Sequence, residues 1–258
     1  MQNRIDTILK WKNENPNLGC DFKTDTIPIS EWEDRLLEKG IRLVTRWDAH
    51  FPKCLLVGER VPEVISFRGD LSLLYKNCLS AVGSRKLSTE SQAWIEIYFR
   101  EFLQATNIPV VSGGAIGADQ FFHRACVRAG TPTICFLPSG ILNPYPQNVI
   151  PLMDDIVSSG GLVVSQFPPH MSVQPWMFHV RNQLIAASGK SLFVVEARRR
   201  SGSIMTATKA LNLGKDIGVV PHSPSRDCND GGLDLLVQGA RMILDARDLS
   251  DFFAASTH

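Results

Sequence analysis

Residues 108–125 read IPVVSGGAIGADQFFHRA, a short apolar run followed by a glycine-rich turn and the start of a helix. The run is β-branched without polar alternation, which is typical of a parallel strand covered on both faces. Glycines leave backbone N–H groups open to an anion where the next helix begins. The turn therefore predicts a phosphate site at Ser112, Gly113, Gly114 and Gly117. A tight strand-to-helix turn without a ligand is the other interpretation, and this motif alone favours neither.

Two polar residues follow on the same helix. Asp119 and His123 are four positions apart, so they share one helix face near the first turn. Either could orient a ligand or cap the turn. We therefore count both as candidate contacts of the phosphate site.

Strand and helix patterns alternate along most of the chain. Strands are predicted at 79–82, 108–112, 132–137, 162–165, 191–196, 217–220 and 241–244. Helical patterns lie between most of them, and such alternation favours parallel pairing with right-handed crossovers and helices on both faces. We therefore expect an α/β fold with a Rossmann-like, mostly parallel, doubly wound sheet.

The beginning of the chain has a different pattern. A short helix with Ile5, Ile8 and Leu9 on one face ends at the Asn and Pro cluster of residues 13–17, and a second helix closes at Gly40. We expect a small helical N-terminal portion over residues 1–45 and a larger domain over 46–250.

Composition restricts the class of protein. The formal net charge is +1, so any surface for a polyanion has to be a local basic patch. The six cysteines have no C-x-x-C pair and predict reduced thiols and no metal site: Cys20, Cys54, Cys78, Cys126, Cys135 and Cys228. No apolar run has the length of a signal peptide or a membrane span, so a cytoplasmic protein without membrane contact is expected.

Ligands of doubly wound sheets bind beyond the carboxyl ends of the strands, so the turns after the strands are informative. Three of these turns together offer hydroxyls, glycines and arginines. The first contains Gly83, Ser84, Arg85 and Ser88, and the second runs from Ser112 to Asp119. The third runs from Arg198 to Ser203 and includes Arg200, Ser201 and Gly202, and Thr206 follows it in the next helix. Arginine forks and helix-start N–H groups both bind phosphate. We expect the three turns to form one rim. The other interpretation of Arg198–Arg200 is a solvated charge run.

Residues 175–189, PWMFHVRNQLIAASG, form an amphipathic helix. Its predicted inward face comprises Trp176, Val180, Leu184 and Ile185, and the residues off this face are Phe178, Arg181 and Asn182. An aromatic ring beside a guanidinium and an amide suits a stacked nucleobase. The spacing alone favours another interpretation, in which Phe178 is core and Arg181 makes an internal ion pair.

Together these motifs resemble the DNA-processing protein A family (DprA, also called Smf). The resemblance covers roughly residues 45–245 and rests on several motifs in order: Gly83-Ser84-Arg85-x-x-Ser88, Ser112-Gly113-Gly114-Ala115-x-Gly117-x-Asp119 with His123, Tyr145-Pro146, Phe178-x-x-Arg181-Asn182, Val195-Glu196-Ala197, Ser201-Gly202-Ser203 and Thr206-Ala207.

The resemblance implies an extended Rossmann-like domain that binds single-stranded DNA without cutting it and needs no cofactor. Family members protect incoming DNA in natural transformation, load the RecA recombinase and form homodimers. By the same resemblance, Arg85, Phe178, Arg181 and Asn182 line the DNA pocket. Ser203 and Thr206 extend the phosphate contacts, and no residue has a catalytic role.

The sequence departs from the family pattern at three places. Gln183 stands where a third basic residue is usual, and Gly114 stands where a bulky apolar residue is more common. Many members carry a C-terminal winged-helix module, and we expect none in this chain because it ends about where that module begins.

Two other functions remain as alternatives. A nucleoside-monophosphate phosphoribohydrolase also uses a glycine-rich turn, but the helical Glu that would act as general base has no counterpart at Gln120 to Phe122. A Rossmann-like nucleotide sensor would need only the pocket. Tight mononucleotide binding or release of free base would distinguish these alternatives from DNA binding.

Overall fold

The computed structural model describes residues 2–13, 28–58, 60–222 and 229–256. The predicted helix stop at 13–17 and two of the cysteines, Cys20 and Cys228, lie largely or wholly outside the described residues. Within these ranges, nine strands form a single sheet in the order β1-β2-β6-β5-β4-β3-β7-β8-β9.

The strands are β1 Arg42–Thr45, β2 Val64–Gly69, β3 Cys78–Val82, β4 Val110–Gly113, β5 Thr133–Phe136, β6 Leu162–Ser165, β7 Gly189–Val194, β8 Ile217–Val219 and β9 Arg241–Met242. Strands β3 to β9 pair in parallel. At one end of the sheet, β2 pairs antiparallel with both β1 and β6. The expected mostly parallel sheet is confirmed.

The helices are α1 Gln2–Asn13, α2 Ile29–Glu38, α3 Thr89–Trp94, α4 Arg100–Thr106, α5 Ala118–Ala129, α6 Ile150–Ser158, α7 Pro175–Ser188, α8 Gly202–Asn212, α9 Asp230–Val237 and α10 Ala246–Ala255. A π-helical segment, Ile95–Phe99, joins α3 to α4. Among the described residues, no helix combines the length and apolar character needed to cross a membrane.

Both faces of the sheet are covered. Neighbouring residues of β7 point to opposite sides, because Val194 packs with the α7 and α8 side while Phe193 packs with the α3, α5 and α10 side. On the second side, Phe193 lies parallel to Phe99 with ring centroids 6.0 Å apart. The doubly wound arrangement predicted from the βα pattern is therefore confirmed.

The N-terminal helices pack on the antiparallel end of the sheet. Trp11 is 4% exposed, and its indole Nε1 donates a hydrogen bond of 2.8 Å to the Gln166 carbonyl. Leu9, which the pattern places on the same helix face as Ile8, is 40% exposed, and Trp11 joins Ile8 in the core instead. The division near residue 45 stays a prediction. It falls at the end of β1, which is hydrogen-bonded into the sheet.

Candidate nucleic-acid interface

The carboxyl ends of β3, β4 and β7 surround a cavity of about 750 Å³, which we call the rim cavity. Two hydrogen bonds join the turns around it: the Ser203 hydroxyl donates to the Gly83 carbonyl at 2.8 Å, and Ala118 N donates to the Ser84 carbonyl at 3.0 Å. The predicted site residues that line the cavity are Gly83, Ser84, Arg85, Asp119, Phe178, Arg181, Asn182, Ser201, Gly202, Ser203 and Thr206.

Seven predicted site residues do not line the rim cavity: Ser88, Ser112, Gly113, Gly114, Gly117, His123 and Arg200. Most of them shape the turns. The Ser112 hydroxyl is fully buried and donates to the Ala81 carbonyl at 2.6 Å, because the neighbouring strand supplies its acceptor. Gly117 has φ +90°, and a Cβ there would lie 2.4 Å from the Ser84 carbonyl oxygen. Only glycine lets these two turns pass each other.

His123 lies beneath the glycine turn. Its Nε2 is 2.7 Å from the Gly113 carbonyl and its Nδ1 is 2.8 Å from the Thr133 hydroxyl. A carbonyl only accepts, so Nε2 carries the proton. Burial lowers the pKa of His123 to about 4, and the ring is neutral at pH 7. The structure therefore gives His123 a role in holding the turn.

A buried ion pair forms the floor of the cavity. Arg181 Nη1 lies 3.4 Å from Asp119 Oδ2, with the two side chains 5% and 9% exposed. Burial raises the pKa of Asp119, and the charge of Arg181 opposes that shift. Arg181 Nε is also buried and has no hydrogen-bond partner among the described residues. The guanidinium therefore makes an internal ion pair, and the Arg181 side chain also lines the cavity.

Gly113 makes room for this guanidinium. A Cβ at Gly113 would lie 1.4 Å from Arg181 Nη1, whereas a Cβ at Gly114 would lie 3.0 Å from its nearest neighbour, a methyl group of Val149. The first glycine is thus required by the ion pair. The second leaves space for a side chain with small adjustments.

Phe178 lies half-buried in the cavity wall, close to two guanidinium groups. The Arg85 and Arg181 Cζ atoms are 5.2 Å and 6.0 Å from its ring centroid, and the Tyr145 ring meets it edge-on at 6.0 Å. The predicted inward position of Trp176 is wrong, because it is 45% exposed in the first turn of α7, where Met177 takes the buried position.

The helix α8 begins at the cavity wall. Ser201 is its N-cap, and Asn182 Nδ2 donates to the Gly202 carbonyl at 3.3 Å, which ties α7 to this turn. The N-terminus of an 11-residue helix carries a partial positive charge next to the cavity.

The three consecutive arginines before α8 have different environments. Arg198 lines the cavity, whereas Arg199 forms ion pairs with Asp230 and Asp234 on α9. Arg200 is exposed, with φ +54°, and does not line the cavity. The charge run therefore contributes one cation to the cavity wall.

The cavity wall has more positive than negative side chains. Among the described residues that line the cavity, the cations are Arg85, Lys86, Arg181 and Arg198, and the single carboxylate is Asp119, which is paired. Lys86 follows Arg85 directly and was not among the site residues predicted from the sequence. An anion fits this cavity better than a cation.

The fully buried carboxylate of Glu196 is hydrogen-bonded to the turn that follows β3. Glu196 Oε2 accepts from Ser88 N at 3.0 Å and from the Ser91 hydroxyl at 2.8 Å, and the Ser88 hydroxyl caps α3. Glu196 thereby holds the turn that carries Arg85. It belongs to the Val-Glu-Ala motif, but no local pattern indicates this role.

Neither a metal site nor a disulfide is found in the described part of the chain. No group of three potential ligands comes together there, and the described cysteines are free. Burial raises the pKa of Cys78, Cys126 and Cys135 to about 12, so these thiols stay protonated.

Comparison with known proteins agrees with the architecture and the motifs. The family model described as DNA recombination-mediator protein A matches residues 42–254. The DNA processing protein DprA of Bacillus subtilis is 29% identical over 213 residues, 82% of this chain and 71% of that protein. Protein Smf of Escherichia coli is 29% identical over 208 residues, 81% of this chain and only 55% of that protein.

Two solved structures have a similar fold. DNA processing protein A of Streptococcus pneumoniae has a TM-score of 0.77 at 27% identity, covering 93% of this chain and 84% of that one. DNA processing protein A of Helicobacter pylori, whose structure concerns a single-stranded DNA binding mode, has a TM-score of 0.73 at 25% identity, covering 84% and 97%. The chain therefore belongs to the DNA recombination-mediator protein A family, together with the DprA and Smf proteins.

Proposed function

We propose that the chain binds single-stranded DNA in the rim cavity. The observation that carries the proposal is the composition of the cavity wall, which has four cations, one paired carboxylate and an aromatic ring within about 6 Å of two guanidinium groups. Arg85, Arg181 and the N-terminus of α8 hold phosphates. A base stacks at Phe178, since every base offers a π-face.

The proposed binding leaves the DNA uncut. The one carboxylate of the described cavity wall is paired with Arg181, so it is not free to activate water. By analogy with the family, the chain protects single-stranded DNA, acts in the cytoplasm as a homodimer and passes the strand to a RecA-type recombinase in transformation or recombination.

A salt titration tests the proposal. Fluorescent oligo-dT and a duplex of the same length are titrated across a salt series with the native protein, Arg85→Ala and Phe178→Leu. Counterion release predicts that log K falls with log salt by roughly 0.7 for each phosphate contact, so Arg85→Ala should reduce the slope by about that amount. Phe178→Leu should weaken binding without changing the slope, by roughly 1 to 3 kcal/mol for a lost stack.

Arg100→Gln is the matched control, because Arg100 is exposed and does not line the cavity. Equal affinity for duplex and oligo-dT, or an Arg85→Ala variant that behaves like this control, would contradict the proposal. Incubation with nucleoside monophosphates completes the experiment. Tight binding would favour a nucleotide sensor, and release of free base would favour a phosphoribohydrolase.

A further inference from the structure

A second basic depression lies at the opposite edge of the sheet, where β3 and β7 begin. Its volume is about 500 Å³, and four lysines line it: Lys53, Lys76, Lys190 and Lys215. No Asp or Glu is among the described residues that line it. We call it the lysine hollow. An excess of four positive charges stands out in a chain whose formal net charge is +1.

The four lysines divide into two anchored and two free side chains. Lys215 Nζ donates to the carbonyls of Ala187 and Gly189, and Lys190 Nζ donates to the Phe253 carbonyl at 3.2 Å. The charge of Lys215 thus offsets the negative end of α7, which would otherwise repel an anion. Lys53 and Lys76 are exposed, with no side-chain hydrogen bond and no ion pair within 4.0 Å to a described residue.

An aromatic side chain stands beside these lysines. Tyr75 is 55% exposed, and its hydroxyl donates to the His50 carbonyl at 2.5 Å, which holds the ring in place. Lysines with an exposed aromatic ring are the combination that proteins use for single-stranded nucleic acid. A small inorganic anion would need the lysines alone.

Helix α7 connects the rim cavity to the lysine hollow. Phe178 near its start lines the cavity, and Ser188 at its end lines the hollow. A helix of 14 residues spans about 21 Å. The two sites are therefore separated by roughly the length of this helix.

A loop on the outer side of α7 carries further contacts along this distance. Gln183 Nε2 donates to the carbonyls of Val57 and Arg60 at 3.0 and 3.2 Å, which fixes the loop on the helix. The Arg60 guanidinium lies 5.8 Å from the centroid of the exposed Trp176 ring. Lys53 begins the short 3-10 helix Lys53–Leu55, which precedes Val57 in the chain, and it lines the hollow. Cations and aromatic rings thus occur at both ends of the helix.

We propose that a single strand longer than the rim cavity continues along the outer side of α7, over Trp176 and Arg60, and that the lysine hollow binds a second set of its phosphates. The inference rests on the proposed function of the rim cavity. The path of the strand distinguishes it from that function, because a long oligonucleotide makes contacts at both edges of the sheet and a short one contacts the cavity only.

The test compares two lengths of oligo-dT, about 6 and about 20 nucleotides, within and beyond typical single-domain site sizes. The variant is Lys53→Gln with Lys76→Gln, and the control is Arg100→Gln with Arg247→Gln, an equal charge change at exposed residues that line neither site. With the long oligonucleotide, loss of two phosphate contacts should lower the salt slope by about 1.4 and the affinity at about 0.1 M salt by about 25-fold.

With the short oligonucleotide, the lysine variant should bind like the native protein. Trp176→Ala should likewise weaken the long oligonucleotide alone, by roughly fivefold or more. A lysine variant that matches the Arg100→Gln/Arg247→Gln control at both lengths overturns the inference. Equal weakening at both lengths also overturns it, because the hollow would then not be a distinct second contact.

Arg85→Ala separates this inference from the proposed function. If Arg85→Ala weakens both lengths while the lysine variant weakens neither, the cavity binds DNA and the path is wrong. If Arg85→Ala weakens neither length, the proposed function fails, and the path through the cavity fails with it. Thermal unfolding of each variant confirms that these exposed substitutions leave the fold intact.

Discussion

Gly113→Ala is the most direct test of the cavity floor. The backbone of Gly113 does not adopt a positive φ, so alanine is not strained by its own conformation. The added Cβ would instead lie 1.4 Å from Arg181 Nη1, 2.4 Å from Cζ and 2.6 Å from Asp119 Oδ2. Both side chains of the ion pair are less than a tenth exposed, so neither can move without changing the pair.

The size of the effect follows from that pair. Displacing Arg181 leaves Asp119 buried without its partner, and breaking a buried ion pair costs about 3–5 kcal/mol. Replacing glycine restricts the unfolded chain and returns about 0.4–1 kcal/mol. We expect a net loss of about 2–4 kcal/mol in the free energy of unfolding. Binding of oligo-dT should also weaken, because Arg181 lines the cavity and its side chain moves.

Gly114→Ala is the matched control at the next residue. Its Cβ would lie 3.0 Å from Val149 and 3.4 Å from Cys135, both side-chain contacts that can adjust by a few tenths of an ångström. We expect a loss of about 1 kcal/mol or less, within the range for small overpacking.

Urea unfolding of a double-mutant cycle completes this test. Gly113→Ala is compared in the native background and in Arg181→Met, where the guanidinium is absent and the alanine should cost less than about 1 kcal/mol. An equal cost in both backgrounds would refute the assignment of the clash to Arg181. So would equal losses from Gly113→Ala and Gly114→Ala.

Three further predictions concern other parts of the molecule. Burial lowers the pKa of His123 from 6.5 to about 4, so the unfolded chain binds a proton that the folded protein does not bind as pH falls. The free energy of unfolding of the native protein should therefore decrease by about 2 kcal/mol between about pH 7 and pH 5. Urea titrations of His123→Gln should not show this decrease. Glu196→Ala should lower the free energy of unfolding by about 1–3 kcal/mol and weaken oligo-dT binding, because the N–H of Ser88 loses its acceptor. Glu196→Gln keeps an oxygen at this place and should keep most of the affinity. Equal oligo-dT binding by the two variants would contradict this role of Glu196. Trp11→Ala should destabilise the whole chain by about 3–5 kcal/mol, because the buried ring also donates a hydrogen bond to the Gln166 carbonyl. Calorimetry should show a single unfolding transition. Two separate transitions would instead support an independent N-terminal portion.

Much of the fold could be predicted because the signals are local. The buried run at 162–165 coincides with β6, and the run at 79–82 differs from β3 by one residue. Strand order is a different matter, since β2 pairs with β6 almost a hundred positions away. Nothing in either segment indicates this partner, so the antiparallel end of the sheet could not be derived from the pattern.

The sequence predicts which turns form the site, but it does not predict which of their side chains face the cavity. Parallel strands end at one edge, and this rule brings Arg85, Asp119 and Ser203 to the same cavity. Whether a hydroxyl faces the ligand or the protein depends on acceptors in other strands, as Ser112 shows with the Ala81 carbonyl. In α7, Trp176 lies in the first turn, where helical periodicity does not determine burial.

The two interpretations of Arg181 prove to be compatible. The spacing of α7 favoured an internal ion pair, and the family resemblance favoured a wall of the DNA pocket. A guanidinium has five N–H donors, and the single contact to Asp119 uses one of them through Nη1. The pair holds the group in place and prevents it from moving to solvent, and the same side chain lines the cavity. An ordered donor loses less entropy when it binds phosphate, so the internal pair favours ligand binding.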